Sequence, residues 1–188
     1  MNVIDIIKKI NPKLKVKQSK KGFMNWWMHK VGAAAICLFD SIHFRDDMPI
    51  NELTLFHEGV HQLQLKEIGK FRYIVQYFAL LPVFKTKRYE FEAYANYIEY
   101  YVLCLLKKRA GQKKPDPIMR VQFIDSQLAR LAWGFMPYFY ANLQYKINNR
   151  KWAEKEATEL RKIEAKVWDN SVKTEYEQDI HDYYMGEK

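Results

Sequence analysis

The sequence has few of the residues that mark several protein classes. Its 188 residues include 7 Gly, 6 Pro and 2 Cys, which argues against a disordered chain and against a disulfide scaffold. No apolar stretch reaches the roughly 20 residues that a membrane-spanning helix needs. The chain also begins with charged residues where a secretory signal peptide needs an apolar core. We therefore expect a cytoplasmic globular protein without a transmembrane segment.

Apolar and aromatic residues are plentiful, at 48% and 15% of the chain, so one domain can bury a substantial core. Cys37 and Cys104 lie in apolar contexts without CxxC spacing, which indicates reduced core residues. The expected fold class is mainly α, of the α+β type. It places a short β-hairpin or small sheet before a central helix and a helical part after it.

Charge and composition divide the chain into three segments. Residues 1–22 form a basic N-terminal arm, residues 23–110 a core, and residues 111–188 a helical part that completes the same compact unit. The net charge is +9, and residues 1–30 alone carry eight lysines against one acid, Asp5. We expect the arm to be a solvated lead-in; contact with an anionic surface or with nucleic acid is the alternative.

A hairpin and a helix are predicted in the first half of the chain. The aromatic and branched stretch 26–49 indicates a short β-hairpin or two-stranded sheet. Asn51 then offers an N-cap and Gly69 a C-terminal stop. Between them, apolar residues recur at helical spacing: Leu53, Phe56, Val60 and Leu63.

This helix carries the motif H-E-x-x-H. His57 and His61 are four residues apart, so their rings leave the same helix face and can share one zinc ion. Glu58 sits about a third of a turn round the helix, where it can act as a general base on a metal-bound water. The alternative is that two histidines are four apart by chance. His29 and His43 are expected to be ordinary core or surface residues.

A catalytic zinc needs a third protein ligand, and the helix after residue 87 offers three glutamates. The helical neighbours of Glu90 are largely apolar, and a carboxylate on an apolar face is costly to bury unless it is paired or binds a metal. Glu92 and Glu99 lie on a more polar face of the helix, and we expect this face to be exposed to solvent. We therefore expect Glu90 to be the ligand in preference to Glu92.

The stretch "HEGVHQLQ" followed by "RYEFEAYA" resembles the gluzincin metallopeptidases, in particular small members with H-E-x-x-H-x-x-Q and then E-x-E-A-Y. The similarity covers residues 42–96, about a third of the chain. It implies a zincin-like active-site helix, zinc ligands His57, His61 and Glu90, and Glu58 as the base. Many gluzincins place an acidic residue four positions after the glutamate ligand, where this chain has Tyr94.

The resemblance also implies an edge strand, in residues 33–39 or 42–44, along which a peptide lies extended. The expected function is that of a zinc-dependent metallopeptidase acting on a peptide or protein substrate. Tyr138 and Tyr140 are candidate donors to the oxyanion that forms. The alternatives are a catalytically silent zincin-fold structural or interaction protein, and a helical protein that binds anions or nucleic acid through the lysine arm.

Overall fold

The computed structural model describes residues 2–78, 87–123, 150–169, 171 and 174–186. These residues are mainly helical and contain one small sheet, as expected for a mainly α, α+β protein. The chain divides into two compact units, Met1–Leu81 with Lys85–Ala95 and Pro82–Phe84 with Asn96–Lys188. Neither boundary falls at residue 22 or residue 110, where the composition of the sequence changes.

The first unit contains one sheet, together with helices that lie before, between and after its strands along the chain. In chain order these elements are α1 (Val3–Ile10), β1 (Lys15–Ser19), α2 (Phe23–Val31), β2 (Ala35–Leu38), β3 (Ser41–Arg45), α3 (Glu52–Ile68), α4 (Lys70–Phe78) and the start of α5 (Lys87–Arg109). The strand order is β1-β3-β2, with β1 parallel and β2 antiparallel to β3. The predicted hairpin is therefore confirmed as β2 and β3, and β2 is an edge strand.

The basic N-terminal segment is folded. Helix α1 begins with a capping box between Asn2 and Asp5, buries Val3, Ile6 and Ile7, and packs against α3. Strand β1 then pairs with β3 over its full length. The expectation of a solvated lead-in is wrong, because the helix buries Val3, Ile6 and Ile7, Leu14 is buried after it, and the strand pairs with β3.

Helix α2 occupies part of the stretch that was expected to form strands. Its aromatic residues favour a strand by propensity, but that preference depends on packing partners. Here the segment buries Asn25 and Met28, which are three residues apart, on one helix face. Gly32 ends the helix with a left-handed backbone that suits glycine. The prediction of β structure for residues 26–31, which lie in α2, is wrong for this reason.

Helix α3, which carries the motif, agrees with the sequence at both ends. The Asn51 side chain accepts a hydrogen bond from the Thr54 backbone N–H, and Gly69 caps the other end. One face of β3 is buried through Ile42 and Phe44. Because α3 packs against β2 and α1, the motif helix is held by the segments that precede it.

The second unit contains the rest of α5, helical residues 117–123, α6 (Arg150–Trp168) and α7 (Glu175–Met185). Thr174 begins α7 with a capping box that it forms with Glu177. Among the described helices, none is long and apolar enough to cross a bilayer.

Candidate metal centre

The side chains of His57, His61 and Glu92 converge in the first unit. The Nε2 atom of His57 lies 3.3 Å from Glu92 Oε2, and the Nε2 atom of His61 lies 3.7 Å from Glu92 Oε1. The three groups offer ligand atoms that all lie within 4.8 Å of one another. Their helices, α3 and α5, are therefore placed so that two imidazoles face one carboxylate.

The spacing of these atoms suits a zinc ion. Zinc prefers four ligands in a tetrahedron with bonds of about 2.0–2.1 Å to nitrogen and oxygen, which places neighbouring ligand atoms about 3.3–3.4 Å apart. The two nitrogen-to-oxygen distances are 3.3 and 3.7 Å. The donor set of two imidazoles and one carboxylate is also the one found in many catalytic zinc sites. The residues present therefore fit the ion.

Glu92 keeps its negative charge although it is buried. Burial alone would raise the pKa of this carboxyl group, but His61 and His57 favour the charged form and hold the pKa well below its ordinary value. The Tyr77 hydroxyl donates a further hydrogen bond to Glu92 Oε1. The carboxylate is thus stabilised as an anion, which is the state that binds a metal.

The third candidate ligand differs from the one favoured by the sequence. Glu92 was expected on a solvated edge, but it is only 7% exposed, so that expectation is wrong. The side chain of Glu90 lies outside the described residues. The sequence pattern E-x-x-A occurs twice, as Glu90 to Ala93 and as Glu92 to Ala95, and spacing alone does not choose between them.

The choice of Glu92 changes how the site compares with the gluzincin pattern. The residue four positions after Glu92 is Asn96, which is buried. Tyr94, which stood in that position relative to Glu90, is 38% exposed. A polar side chain thus occupies the position where gluzincins often carry an acidic residue.

Glu58 lies in the same buried region. Burial raises the pKa of its carboxyl group, while the imidazoles of His61 and His57 lower it and Glu92 raises it again. The backbone N–H of Cys37, in edge strand β2, also hydrogen-bonds this carboxylate. Glu58 is therefore a buried carboxylate held beside the sheet edge, as a general base next to a metal would have to be.

Gln64 links a histidine of the motif to the helix that carries Glu92. Its Oε1 atom lies 2.8 Å from His61 Nδ1, and its Nε2 atom donates to the Phe91 backbone oxygen at 3.2 Å. Since an amide oxygen only accepts, the Nδ1 atom of His61 carries the proton. When the ring is neutral, its Nε2 atom, which faces Glu92, therefore offers a lone pair to a metal. Gln64 is the final Gln of H-E-x-x-H-x-x-Q, and the sequence pattern alone assigns no role to this position.

A second amide holds α3 to the hairpin. Gln62 Nε2 donates to the Phe39 backbone oxygen at 2.6 Å and to Cys37 Sγ at 2.9 Å. Its Oε1 atom accepts from Asn11 Nδ2 at 2.8 Å, and Asn11 also bonds Asp40. The chain entering β1, the turn of the hairpin and the motif helix are thus tied at one point.

Aromatic rings form one wall of the site. Tyr73 stacks on Tyr77 and on Phe91, with ring centroids 5.4 and 5.3 Å apart, and Tyr77 meets the His61 ring edge to face at 6.0 Å. Sequence reasoning missed Tyr77, although its spacing of four from Tyr73 in the next helix was a usable signal. The candidate donors Tyr138 and Tyr140 lie outside the described residues.

The other histidines of the first unit have different surroundings. The two ring nitrogens of His43 contact the hydroxyls of Ser19 and Ser41 at 3.0 and 2.9 Å. His29 pairs with Asp46 at 2.9 Å on the exposed surface. Both agree with their interpretation as ordinary residues.

Comparison with protein families, characterised proteins and solved structures gives no match to this chain. The similarity to gluzincins stays a prediction from the motifs.

Replacement of the two glutamates identifies the third ligand. We expect the wild-type protein, purified without a metal-binding tag, to hold about one zinc per chain. Glu92→Ala should lose this zinc because it removes the carboxylate between the imidazoles, whereas Glu90→Ala should keep it. Elemental mass spectrometry measures the content. Loss in Glu90→Ala with retention in Glu92→Ala would assign the ligand to Glu90.

Gln64→Leu tests how His61 is oriented. It removes the acceptor for His61 and the bond to Phe91, so we expect zinc affinity to fall by about 10–100-fold. Gln64→Glu keeps the acceptor and should lose less affinity. A competition titration against a chelator measures both variants. Wild-type affinity in Gln64→Leu would mean that the amide does not position the histidine.

Proposed function

We propose that this protein is a zinc-dependent hydrolase that cleaves a peptide or amide bond. The observation that carries the proposal is the convergence of His57, His61 and Glu92 at distances that suit one zinc ion. The buried carboxylate of Glu58 directly follows the first histidine. The partner we propose at this site is a peptide or protein substrate.

His57, His61 and Glu92 would hold the ion and leave a fourth position for water or substrate. Zinc bound there would supply a water molecule whose pKa lies near 7 and an acceptor for developing negative charge. The two imidazoles reach the site through Nε2, and Gln64 keeps the His61 ring in the tautomer that exposes this atom. The chain thus supplies a preformed ligand set.

Glu58 would move the proton. Its carboxylate takes the proton of the attacking water and passes it to the leaving nitrogen. The pKa of Glu58 is raised by burial, which makes this carboxylate a stronger base than an exposed glutamate. The bond from the Cys37 backbone N–H to the carboxylate keeps the group at the edge of the sheet.

Tyr77 is a candidate donor to the tetrahedral intermediate. Its ring contacts His61 and its hydroxyl donates its single proton to Glu92, so it would have to release that carboxylate before it could donate to an oxyanion. Tyr138 and Tyr140 stay as predictions for the same role. Replacing one hydroxyl donor lowers catalysis without removing the metal ligands.

The edge of β2 suits an extended substrate. The backbone bond from the Arg45 N–H to the Ala34 oxygen and the register of β2 with β3 imply that the Cys37 backbone points away from β3, because pairs alternate in an antiparallel ladder. This is the side on which Glu58 lies. The Cys37 N–H and the Phe39 oxygen bond Glu58 and Gln62, so a peptide added as a strand would pair with other backbone groups of this edge and would lie beside the base.

The burial of the cluster favours a second candidate function, a catalytically silent protein in which the metal stabilises the fold. His61, Glu58 and Glu92 are all buried, and a buried metal site contributes directly to folding free energy. A silent protein would bind zinc through the same three residues and would not depend on Glu58 as a base.

Glu58→Gln separates these two functions. If the protein is a hydrolase, the zinc-loaded wild type should cleave members of a peptide library, and Glu58→Gln should keep zinc and lose about 10²–10⁴-fold in turnover. His57→Ala, as the control, should lose both zinc and activity. Mass spectrometry of the library and elemental analysis measure the two properties. A zinc-loaded wild type that cleaves no peptide, while zinc raises its unfolding midpoint, would favour the structural role.

A further inference from the structure

Helix α2 presents aromatic rings to solvent. Phe23 is 72% exposed and Trp26 is 57% exposed, and Trp27 is partly exposed beside them. The rings contact one another, with centroids 5.8 to 6.3 Å apart. Large exposed apolar clusters are uncommon on soluble surfaces and mark contact sites for a partner.

The geometry of the helix separates this cluster from the core. At 100° per residue, Phe23, Trp26, Trp27 and Lys30 fall within an arc of about 100°. On the opposite side, Met28 and Asn25 are buried, and Asn25 Oδ1 accepts from the Asp46 backbone N–H. The helix is thus fixed to the protein by one face, and the aromatic face points outward.

Cations flank the aromatic face. Lys20 and Lys21 precede the helix and Lys30 lies in its last turn, and all three are exposed. The sequence has no acidic residue from Lys8 to Lys30. The acids near the helix, Asp46 and Asp47, are paired with His29 and Arg45. His29 and Asn25 lie on the side of α2 away from the aromatic arc, so the rings are bordered by positive charge.

We propose that α2 and its flanking lysines, Lys20, Lys21 and Lys30, bind the surface of an anionic lipid bilayer. Tryptophan and phenylalanine favour the boundary between headgroups and acyl chains, where an amphipathic helix lies in the plane of the membrane. Lysines beside it are attracted by anionic headgroups. Two features together identify the partner. One is the ridge of exposed rings on α2, and the other is the set of lysines that flank this ridge.

The shape of the cluster favours a bilayer over single-stranded nucleic acid. Nucleic acid binds in a positively charged groove, with bases stacked on open ring faces. Here the rings stand on the convex outer face of a helix, and the rings of Phe23 and Trp27 are stacked on each other at an interplanar angle of 21°. A ridge of this kind inserts into the headgroup region of a bilayer more readily than it stacks on bases.

Vesicle flotation with the full chain tests this proposal. We expect the wild type to float with vesicles of phosphatidylcholine and phosphatidylglycerol, to bind less as salt rises, and to bind vesicles of phosphatidylcholine alone weakly. The double variant Phe23→Ser with Trp26→Ser should lower the partition coefficient by at least about tenfold. Lys20→Gln with Lys21→Gln should lower it by roughly tenfold on anionic vesicles.

Matched variants control for general loss of apolar surface and of charge. Phe71, which is 81% exposed on α4, supplies the control Phe71→Ser, and Arg109→Gln with Lys113→Gln removes the same charge from another part of the chain. Both should bind anionic vesicles as the wild type does. Circular dichroism should show all variants folded, because each replaced side chain is exposed.

Three results would overturn the proposal. The first is a wild type that binds anionic vesicles no better than neutral ones. The second is an equal loss of binding in Phe71→Ser and in the α2 double variant. The third is a wild type that does not float but binds a single-stranded oligonucleotide, or forms a dimer, in a way that the α2 double variant abolishes.

Discussion

Glu92 lies buried against the imidazoles of His57 and His61, and the candidate metal centre depends on the negative charge of this carboxylate. An isolated carboxylate in such a place would take up a proton, because burial penalises the charged form. The two imidazoles and the Tyr77 hydroxyl reverse that preference. With both imidazoles neutral, the same three groups are a donor set that a divalent cation can bind.

The helices that bring these groups together are positioned by two glutamine side chains. Gln64 connects the His61 ring to the backbone next to Glu92, and Gln62 connects the same helix to the hairpin turn and to Asn11. Both amides are buried, so each bond lost would leave a polar group unsatisfied. The folded N-terminal segment therefore supports the motif helix, and its lysine side chains are exposed.

The sequence predicted those elements that are marked by residues close together in the chain, such as helix caps and periodic apolar residues. The fold class, the motif helix from Asn51 to Gly69 and the hairpin followed from caps and periodicity. It did not predict that α2 is a helix or that the basic segment is folded, because both depend on packing against β3 and α3. The choice between Glu90 and Glu92 depends on how one helix is rotated against another. Two overlapping E-x-x-A patterns leave that rotation undetermined.

X-ray absorption at the zinc edge of the zinc-loaded wild type tests the metal centre most directly. We predict about one zinc per chain with nitrogen and oxygen neighbours at about 2.0–2.1 Å, including the outer scattering of two imidazoles. A sulfur neighbour at about 2.3 Å would point to a cysteine such as Cys37. That spectrum, or the absence of bound zinc after reconstitution, would contradict a site made of His57, His61 and Glu92.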